Sequence, residues 1–321
     1  MMTGLLIALA AGLASATMFA SIVSGAAISL LLFYLAPLPL MTVGLGWGSS
    51  TAAIGGLIGA LGVGGVFGLP YIAAFAVTVA LPAWWLGHLI LLARPVSSDP
   101  QLAGLAPALD WYPIGRLLVW IAIFASITTV SAMLTLGTDA ETIHAGLRNV
   151  LIRMGGISNE HLANESVNRT VNALAALAPG AATLIAAATL TLNLWLAAKI
   201  TATSQRLKRP WPDLRMVQLP ATALAALGVA ILLCLAGGLI AILAQIFSAA
   251  LLMVYGMTGF AVVHTLTQTV SGRAMMLVGM YAATMLIGWP LVGAIILGLA
   301  DAAFGIRRRY WQRHNQLPPP T

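Results

Sequence analysis

Three polar side chains inside long apolar runs of this sequence have the chemistry to bind a solute. Asn193, Gln245 and His264 are each flanked by apolar residues. Amide and imidazole groups both donate and accept hydrogen bonds, and polar groups at membrane depth are functional candidates because burying them unpaired is costly. The alternative is that each one hydrogen-bonds a neighbouring helix.

Two motifs of charged residues are weaker indications of a functional site. Asp301 lies six residues before the basic run at 307–309, and this spacing favours an ion pair at the membrane interface over a proton relay. His161 and Glu165 are spaced i, i+4, so they would share one face of a helix. That pair is a weak sign of metal binding, and a solvated helix face explains it better. We therefore predict no metal site.

Motifs of the common enzyme classes are missing from the sequence. It has no Walker loop, no HExxH, no GxSxG and no pair of intramembrane carboxylates. The sequence predicts that the protein is not an enzyme and carries no cofactor.

The composition is that of a membrane protein. Of 321 residues, 60% are hydrophobic and 7% are charged, with a mean hydropathy of +0.97, whereas a soluble domain carries about 25% charged residues. The apolar runs are continuous, without the period-2 alternation of a barrel strand. We predict an all-α polytopic transmembrane helical bundle in the lipid bilayer. The net charge of +7 comes from basic residues in short loops, which indicates positive-inside topology and not nucleic-acid binding.

Charge and proline divide the chain into segments. The predicted segments are an N-terminal helical block at 1–93, a cytoplasmic loop at 94–116, two spans at 117–198 around an external amphipathic loop at 137–172, a basic cytoplasmic loop at 199–217, a C-terminal helical block at 218–304 and a basic, proline-rich cytoplasmic tail at 305–321. The positive-inside rule places both termini in the cytoplasm. We expect about eight spans, or ten if the glycine-rich region and the last apolar region both double back.

The stretch LAPLPLMTVGLGWG at 35–48 interrupts the first block. Proline removes a backbone donor, and broken backbone at membrane depth is tolerated where protein or a water-filled cavity covers it. This predicts a non-helical segment that borders a cavity, with Pro37, Pro39 and Trp47 as lining residues. The alternative is an interfacial loop before a tightly packed helix, since Gly55 and Gly59 form one of the GxxxG pairs that follow.

Four segments in order carry a family resemblance: APLPLMTVGLGWG, DWYPIGRLL, RLKRPWPDLRMVQLP and LGLADAAFGIRRR. Together they resemble the bacterial YybS-like family of predicted membrane proteins, a domain of unknown function (2232), and its alphaproteobacterial members most. The resemblance implies an inner-membrane protein of about eight spans and brings no catalytic residues. The N-terminal part of the family is in turn similar to the S components of energy-coupling-factor vitamin transporters and to the rod-shape protein MreD.

Three functions are compatible with these observations. The leading hypothesis is a bacterial inner-membrane protein that binds or transports a small solute near the proline/glycine stretch, with a transporter ATPase module as partner or an ion gradient as energy source. The first alternative is a membrane scaffold in cell-envelope assembly, similar to MreD, that docks partner proteins on its cytoplasmic loops. The weaker alternative is a lipid-handling membrane enzyme.

Overall fold

The described part of the chain is almost entirely helical. The computed structural model describes residues 2–95 and 109–313, without the side chains of Asn159 and Glu160. Its one antiparallel strand pair, within that part, joins β1 (Ala93–Pro95) to β2 (Leu109–Trp111). The predicted all-α bundle is confirmed. The centre of the predicted loop at 94–116 and the proline-rich end of the predicted tail lie outside the described residues.

The longest connections between the helices are at 91–113 and 204–220. In chain order the helices are α1 (Met2–Ala20), α2 (Ala27–Tyr34), α3 (Pro37–Trp47), α4 (Ser49–Phe67), α5 (Leu69–Phe75), α6 (Leu81–Ile90), α7 (Ile114–Leu134), α8 (Ala140–Gly155), α9 (Asn159–Leu162), α10 (Glu165–Thr203), α11 (Ala221–Leu233), α12 (Gly238–Leu266), α13 (Arg273–Ile287), α14 (Trp289–Phe304) and α15 (Ile306–Arg313).

Seven helical stretches of the described chain are long and apolar enough to cross a membrane. They are Met2–Ser24, Ala27–Trp47, Ser49–Phe67, Leu69–Ile90, Ile114–Leu134, Glu165–Thr203 and Gly238–Leu266. The pair α13 and α14 makes an eighth if it counts as one span, although it bends by 115° at Gly288. The shorter apolar helix Ala221–Ala236 stands apart from this set. The count agrees with the expectation of about eight spans.

The prediction of a non-helical segment at 35–48 is wrong. Helix α3 runs without interruption from Pro37 to Trp47. Its two prolines lie in the first turn, where backbone N–H groups have no helical partner and the fixed φ of proline suits the helix. The interruption is confined to a turn before Pro37 and to Gly48, whose φ of +109° ends the helix. Helices α2 and α3 together form one span-length stretch.

The described chain divides into two compact units. Unit 1 comprises Met1–Phe124 and Ala188–Pro212, and unit 2 comprises Ala125–Ala187 and Asp213–Thr321. The division falls inside helices α7 and α10, so each of these helices contributes to both units.

In unit 1, α1 and α4 pack with their backbones in close approach. A Cβ atom added to Gly59 would lie 2.9 Å from the carbonyl oxygen of Gly12, and one added to Gly55 would lie 2.8 Å from the carbonyl oxygen of Ala8. Only glycine leaves room for this contact. The GxxxG pair at 55 and 59 thus forms the predicted close-packing face.

In unit 2, α12 and α14 pack in the same way. A Cβ atom on Gly259 would overlap the carbonyl oxygen of Ala294, and one on Gly298 would overlap that of Tyr255. The Tyr255 side chain is fully buried beside this contact. These two helices therefore form the tightly packed centre of unit 2.

Helix α8 lies in the segment predicted to be an external amphipathic loop. The Asp139 carboxylate caps it by accepting hydrogen bonds from the N–H groups of Glu141 and Thr142. These bonds, that of Thr142 first, lower the pKa of Asp139. Ile143 on the apolar face is buried against Met133 and Ile246, so α8 packs on the ends of two long helices.

A Gly259→Ala substitution should destabilise the protein by about 1–3 kcal/mol, because an overpacked helix contact forces the backbones apart. Gly279→Ala is the matched control, since a Cβ atom there meets nothing within 4 Å, and it should be neutral or stabilising by up to about 1 kcal/mol. Thermal unfolding in detergent measures both. Equal effects of the two substitutions would contradict the assigned packing of α12 on α14.

Candidate functional site

Asn193, a predicted solute-lining residue, contacts the interruption between α2 and α3. In a continuous helix the N–H of Leu38 would donate to the carbonyl of Tyr34, but here it donates to Leu35 at 3.0 Å. Pro37 has no N–H to offer instead. The Asn193 Nδ2 donates to the freed Tyr34 carbonyl at 2.8 Å, and the side chain is fully buried. This contact satisfies a backbone group that would otherwise be unpaired in unit 1.

The other predicted residues of unit 1 lie in or at the end of α3. Pro37 is buried and Pro39 is half-buried in the first turn. Trp47 is 39% exposed at the opposite end. The Arg206 guanidinium lies over the Trp47 ring, 4.4 Å from its centre, so the indole is in a cation–π pair.

Gln245 and His264 lie in unit 2, on α12. The Gln245 Nε2 donates to the carbonyl of Ala176 at 2.9 Å, three residues before Pro179, which lies inside α10. Gln245 therefore hydrogen-bonds a backbone carbonyl of α10 from α12.

His264 belongs to a polar group at the end of α12. Its Nδ1 lies 3.4 Å from Nη2 of Arg273, and its Nε2 lies 2.8 Å from the Tyr281 hydroxyl. A guanidinium can only donate, so Nδ1 accepts and Nε2 carries the proton that it donates to the tyrosine. The six predicted lining residues are thus divided between the two units, with Gln245 and His264 in unit 2 and the other four in unit 1.

Unit 2 contains a cavity of about 390 Å³ that sequence analysis did not identify. It lies between the start of α11, the middle of α12 and the end of α14. Its wall contains Gln218, Leu219, Pro220, Ala221, Leu224, Tyr255, Thr258, Gly298, Asp301, Ala302, Ala303, Phe304, Gly305, Arg307, Arg308 and Arg309. The last three, which are consecutive in α15, are the basic residues of the wall.

Arg307, the first of these three arginines, is held in place by hydrogen bonds and an ion pair. Its guanidinium donates to the carbonyls of Arg215 at 2.6 Å and Val217 at 2.7 Å, and it pairs with the Asp301 carboxylate at 2.7 Å. The side chains of Arg307 and Asp301 are 5% and 10% exposed. This confirms the predicted ion pair at Asp301 and ties the end of α14 to the segment that enters α11.

Arg308 and Arg309 are left with their charge uncompensated by the described residues. Both side chains are exposed and line the cavity. The nearest acidic side chain in the cavity wall is Asp301, and both of its oxygens already accept hydrogen bonds from Arg307. The charges of Asp301 and Arg307 offset each other, so the cavity wall carries two further positive charges, those of Arg308 and Arg309.

A second group of basic residues in unit 1 lies at the end of α10 and in the segment that follows it, within the predicted basic loop at 199–217. Arg209 is buried and donates to the carbonyls of Ile90 and Tyr112 at 3.2 and 3.0 Å, and this burial lowers its pKa. Lys199 lies over the Trp211 ring at 4.7 Å. The basic loop is thus held in place by hydrogen bonds and a cation–π contact of its own basic residues.

In unit 2, the side-chain hydrogen bond from Arg215 lowers the pKa of Asp213. The two groups are 2.7 Å apart. This exposed pair lies beside the carbonyl that Arg307 binds, so it continues the polar network away from the cavity.

Sequence reasoning identified the arginine run but not the cavity, because the wall comes from three segments far apart in the chain. The available signal was the Ala294/Gly298 pair of small residues at i, i+4 spacing. That spacing predicts a close helix contact. In the structure, Ala294 and Gly298 contact Gly259 and Tyr255 of α12.

Comparison with known proteins assigns the chain to a family without an assigned activity. The family described as "Predicted membrane protein (DUF2232)" matches residues 12–302, which confirms the resemblance carried by the four sequence segments. No curated protein and no solved structure matches the chain. The alphaproteobacterial type and the likeness to S components and MreD stay predictions.

An Arg307→Ala substitution should destabilise unit 2 by about 3–5 kcal/mol, because it leaves Asp301 and two carbonyls buried without their partner. Arg313→Ala is the control, since Arg313 is exposed on the same helix and should change stability by less than about 0.5 kcal/mol. Thermal unfolding in detergent compares them. If Arg307→Ala were as stable as the control, the proposed anchoring of α14 to α11 would be incorrect.

Proposed function

The chain belongs to the DUF2232 family of predicted membrane proteins, and on that premise we propose that it binds a small anionic solute in the cavity of unit 2. The protein would do so as a multi-pass protein of the bacterial inner membrane. The observation that carries the proposal is the pair Arg308 and Arg309, two exposed cations in the cavity wall without a described acidic partner.

The cavity has the properties of a ligand site. Its volume of about 390 Å³ is within the range of about 300–1,000 Å³ typical of small-molecule pockets. Guanidinium groups bind carboxylates and phosphates through two parallel hydrogen bonds. The Arg307 anchor holds the two free arginines on a fixed backbone, so little ordering would be needed on binding.

Transport of the solute is a further part of this proposal. The sequence has no nucleotide-binding motif, so movement against a gradient would require a partner ATPase module or an ion gradient. Binding alone requires neither.

A second candidate function is that of a scaffold in cell-envelope assembly. It is supported by the ordered basic loop of unit 1, where Arg206 and Lys199 are paired with tryptophan rings and Arg209 is buried. A loop of fixed shape with exposed aromatic and basic groups is suited to docking a partner protein. A scaffold would not require a ligand in the cavity of unit 2.

Substitution of both Arg308 and Arg309 by glutamate should remove the bound solute, because the cavity then repels anions. We expect at least a tenfold loss of a co-purifying anionic small molecule in native mass spectrometry of gently extracted protein. Arg313→Glu, which reverses a charge on the same helix outside the cavity wall, is the control and should retain it. Equal occupancy in the two proteins would contradict the solute-binding proposal.

We also propose that both termini and the basic loops lie in the cytoplasm, with α8 on the outside. Arg307 binds the carbonyls of Arg215 and Val217, so the segments before α11 and after α14 lie at the same end of unit 2. This supports an even number of crossings between them. The positive-inside rule then assigns that end to the cytoplasm.

Cysteine labelling tests this orientation in a Cys234→Ser background, since Cys234 is the one native cysteine. A cysteine replacing Met154 on α8, which is 82% exposed, should react with a membrane-impermeant maleimide in spheroplasts. Cysteines replacing Ser204 and Arg313 should react only after permeabilisation. Reaction of all three from one side would refute the proposed topology.

A further inference from the structure

Part of the cavity wall is apolar and exposed. Leu224 on α11 is 38% exposed and Phe304 at the end of α14 is 63% exposed. Ala221 and Ala303, which also line the cavity, are exposed as well. On a helix of this composition, exposed apolar side chains face the acyl chains of the bilayer. The cavity is therefore accessible from the lipid as well as from water.

The cavity wall has a cationic part, which suits a lipid phosphate, and an apolar part, which suits an acyl chain. Gly305, with a φ of +64°, ends α14, and the arginines follow in the first turns of α15. Basic residues directly after a span lie at the depth of lipid headgroups. Leu224 lies one turn into α11, which begins at Ala221.

We infer that the anion bound by this cavity is an anionic phospholipid, with its phosphate at Arg308 and Arg309 and the start of an acyl chain along Leu224 and Phe304. The inference rests on the proposed function and specifies its ligand. The cavity of about 390 Å³ holds the headgroup and the first part of a chain, and the remaining chain lies in the bilayer. A water-soluble phosphate would use the arginines but would leave the exposed apolar wall without a role.

The test uses the full chain in detergent, relipidated with vesicles of phosphatidylglycerol or of phosphatidylcholine, and native mass spectrometry of the retained lipid. Wild-type protein should retain phosphatidylglycerol at least tenfold better than phosphatidylcholine. Replacement of Arg308 and Arg309 by alanine should remove this preference. Glycerol 3-phosphate, which has the phosphate without acyl chains, is the soluble probe and should bind at least tenfold more weakly.

The apolar wall is tested separately by Leu224→Trp, which fills it while leaving the arginines in place. This variant should retain less phosphatidylglycerol. Leu232→Trp is the matched control, because Leu232 is 68% exposed on the same helix and does not line the cavity. It should retain as much lipid as the wild type.

Two outcomes distinguish this inference from the function on which it rests. If glycerol 3-phosphate binds through the arginines as tightly as phosphatidylglycerol, and Leu224→Trp has no effect, the ligand is a soluble anion. The lipid inference then fails while solute binding stands. If neither probe depends on Arg308 and Arg309, both the inference and the proposed function fail.

Discussion

The structure depends on satisfying backbone carbonyls where the helices begin, end or are interrupted. In hydrocarbon no water is available for these groups, and each unpaired one costs several kcal/mol. Four long side chains provide the missing donors. Arg209 binds the carbonyl at the end of α6, and Arg307 binds carbonyls in the segment before α11. Asn193 binds the carbonyl of Tyr34 at the turn before Pro37, and Gln245 binds a carbonyl of α10. Such contacts therefore occur in both units.

This constraint changes how the polar residues of the sequence are interpreted. An amide in an apolar run commonly either binds a ligand or hydrogen-bonds another part of the fold. The described contacts of Asn193 and Gln245 are of the second kind. The same reasoning separates neighbouring arginines. Arg307 is committed to an ion pair and two carbonyls, whereas Arg308 and Arg309 lie beside it with exposed, uncompensated charge. Among these arginines, a ligand site is better sought at the two without a described acidic partner than at Arg307, which the fold uses.

The fold class could be predicted because it depends on composition and run length, and the contact at Gly55 because GxxxG spacing is local. The ion pair of Asp301 with Arg307 was also predictable from spacing alone. The helix at Pro37–Trp47 was mispredicted, since a proline in a first turn favours a helix and one in the interior breaks it. The position of the helix start, and not the residue type, decides between these outcomes. The cavity depends on which distant helices pack together, and no local pattern contains that information.

The central claim is that the free arginines of unit 2 mark the ligand site while the intramembrane amides serve the fold. An electron cryo-microscopy map of the wild-type protein in a phosphatidylglycerol nanodisc tests it most directly. We predict density for a phosphate within hydrogen-bond distance of Arg308 or Arg309, with Asn193 still bound to the Tyr34 carbonyl. A well-ordered but empty cavity, with ligand density against Asn193 or His264 instead, would contradict the account.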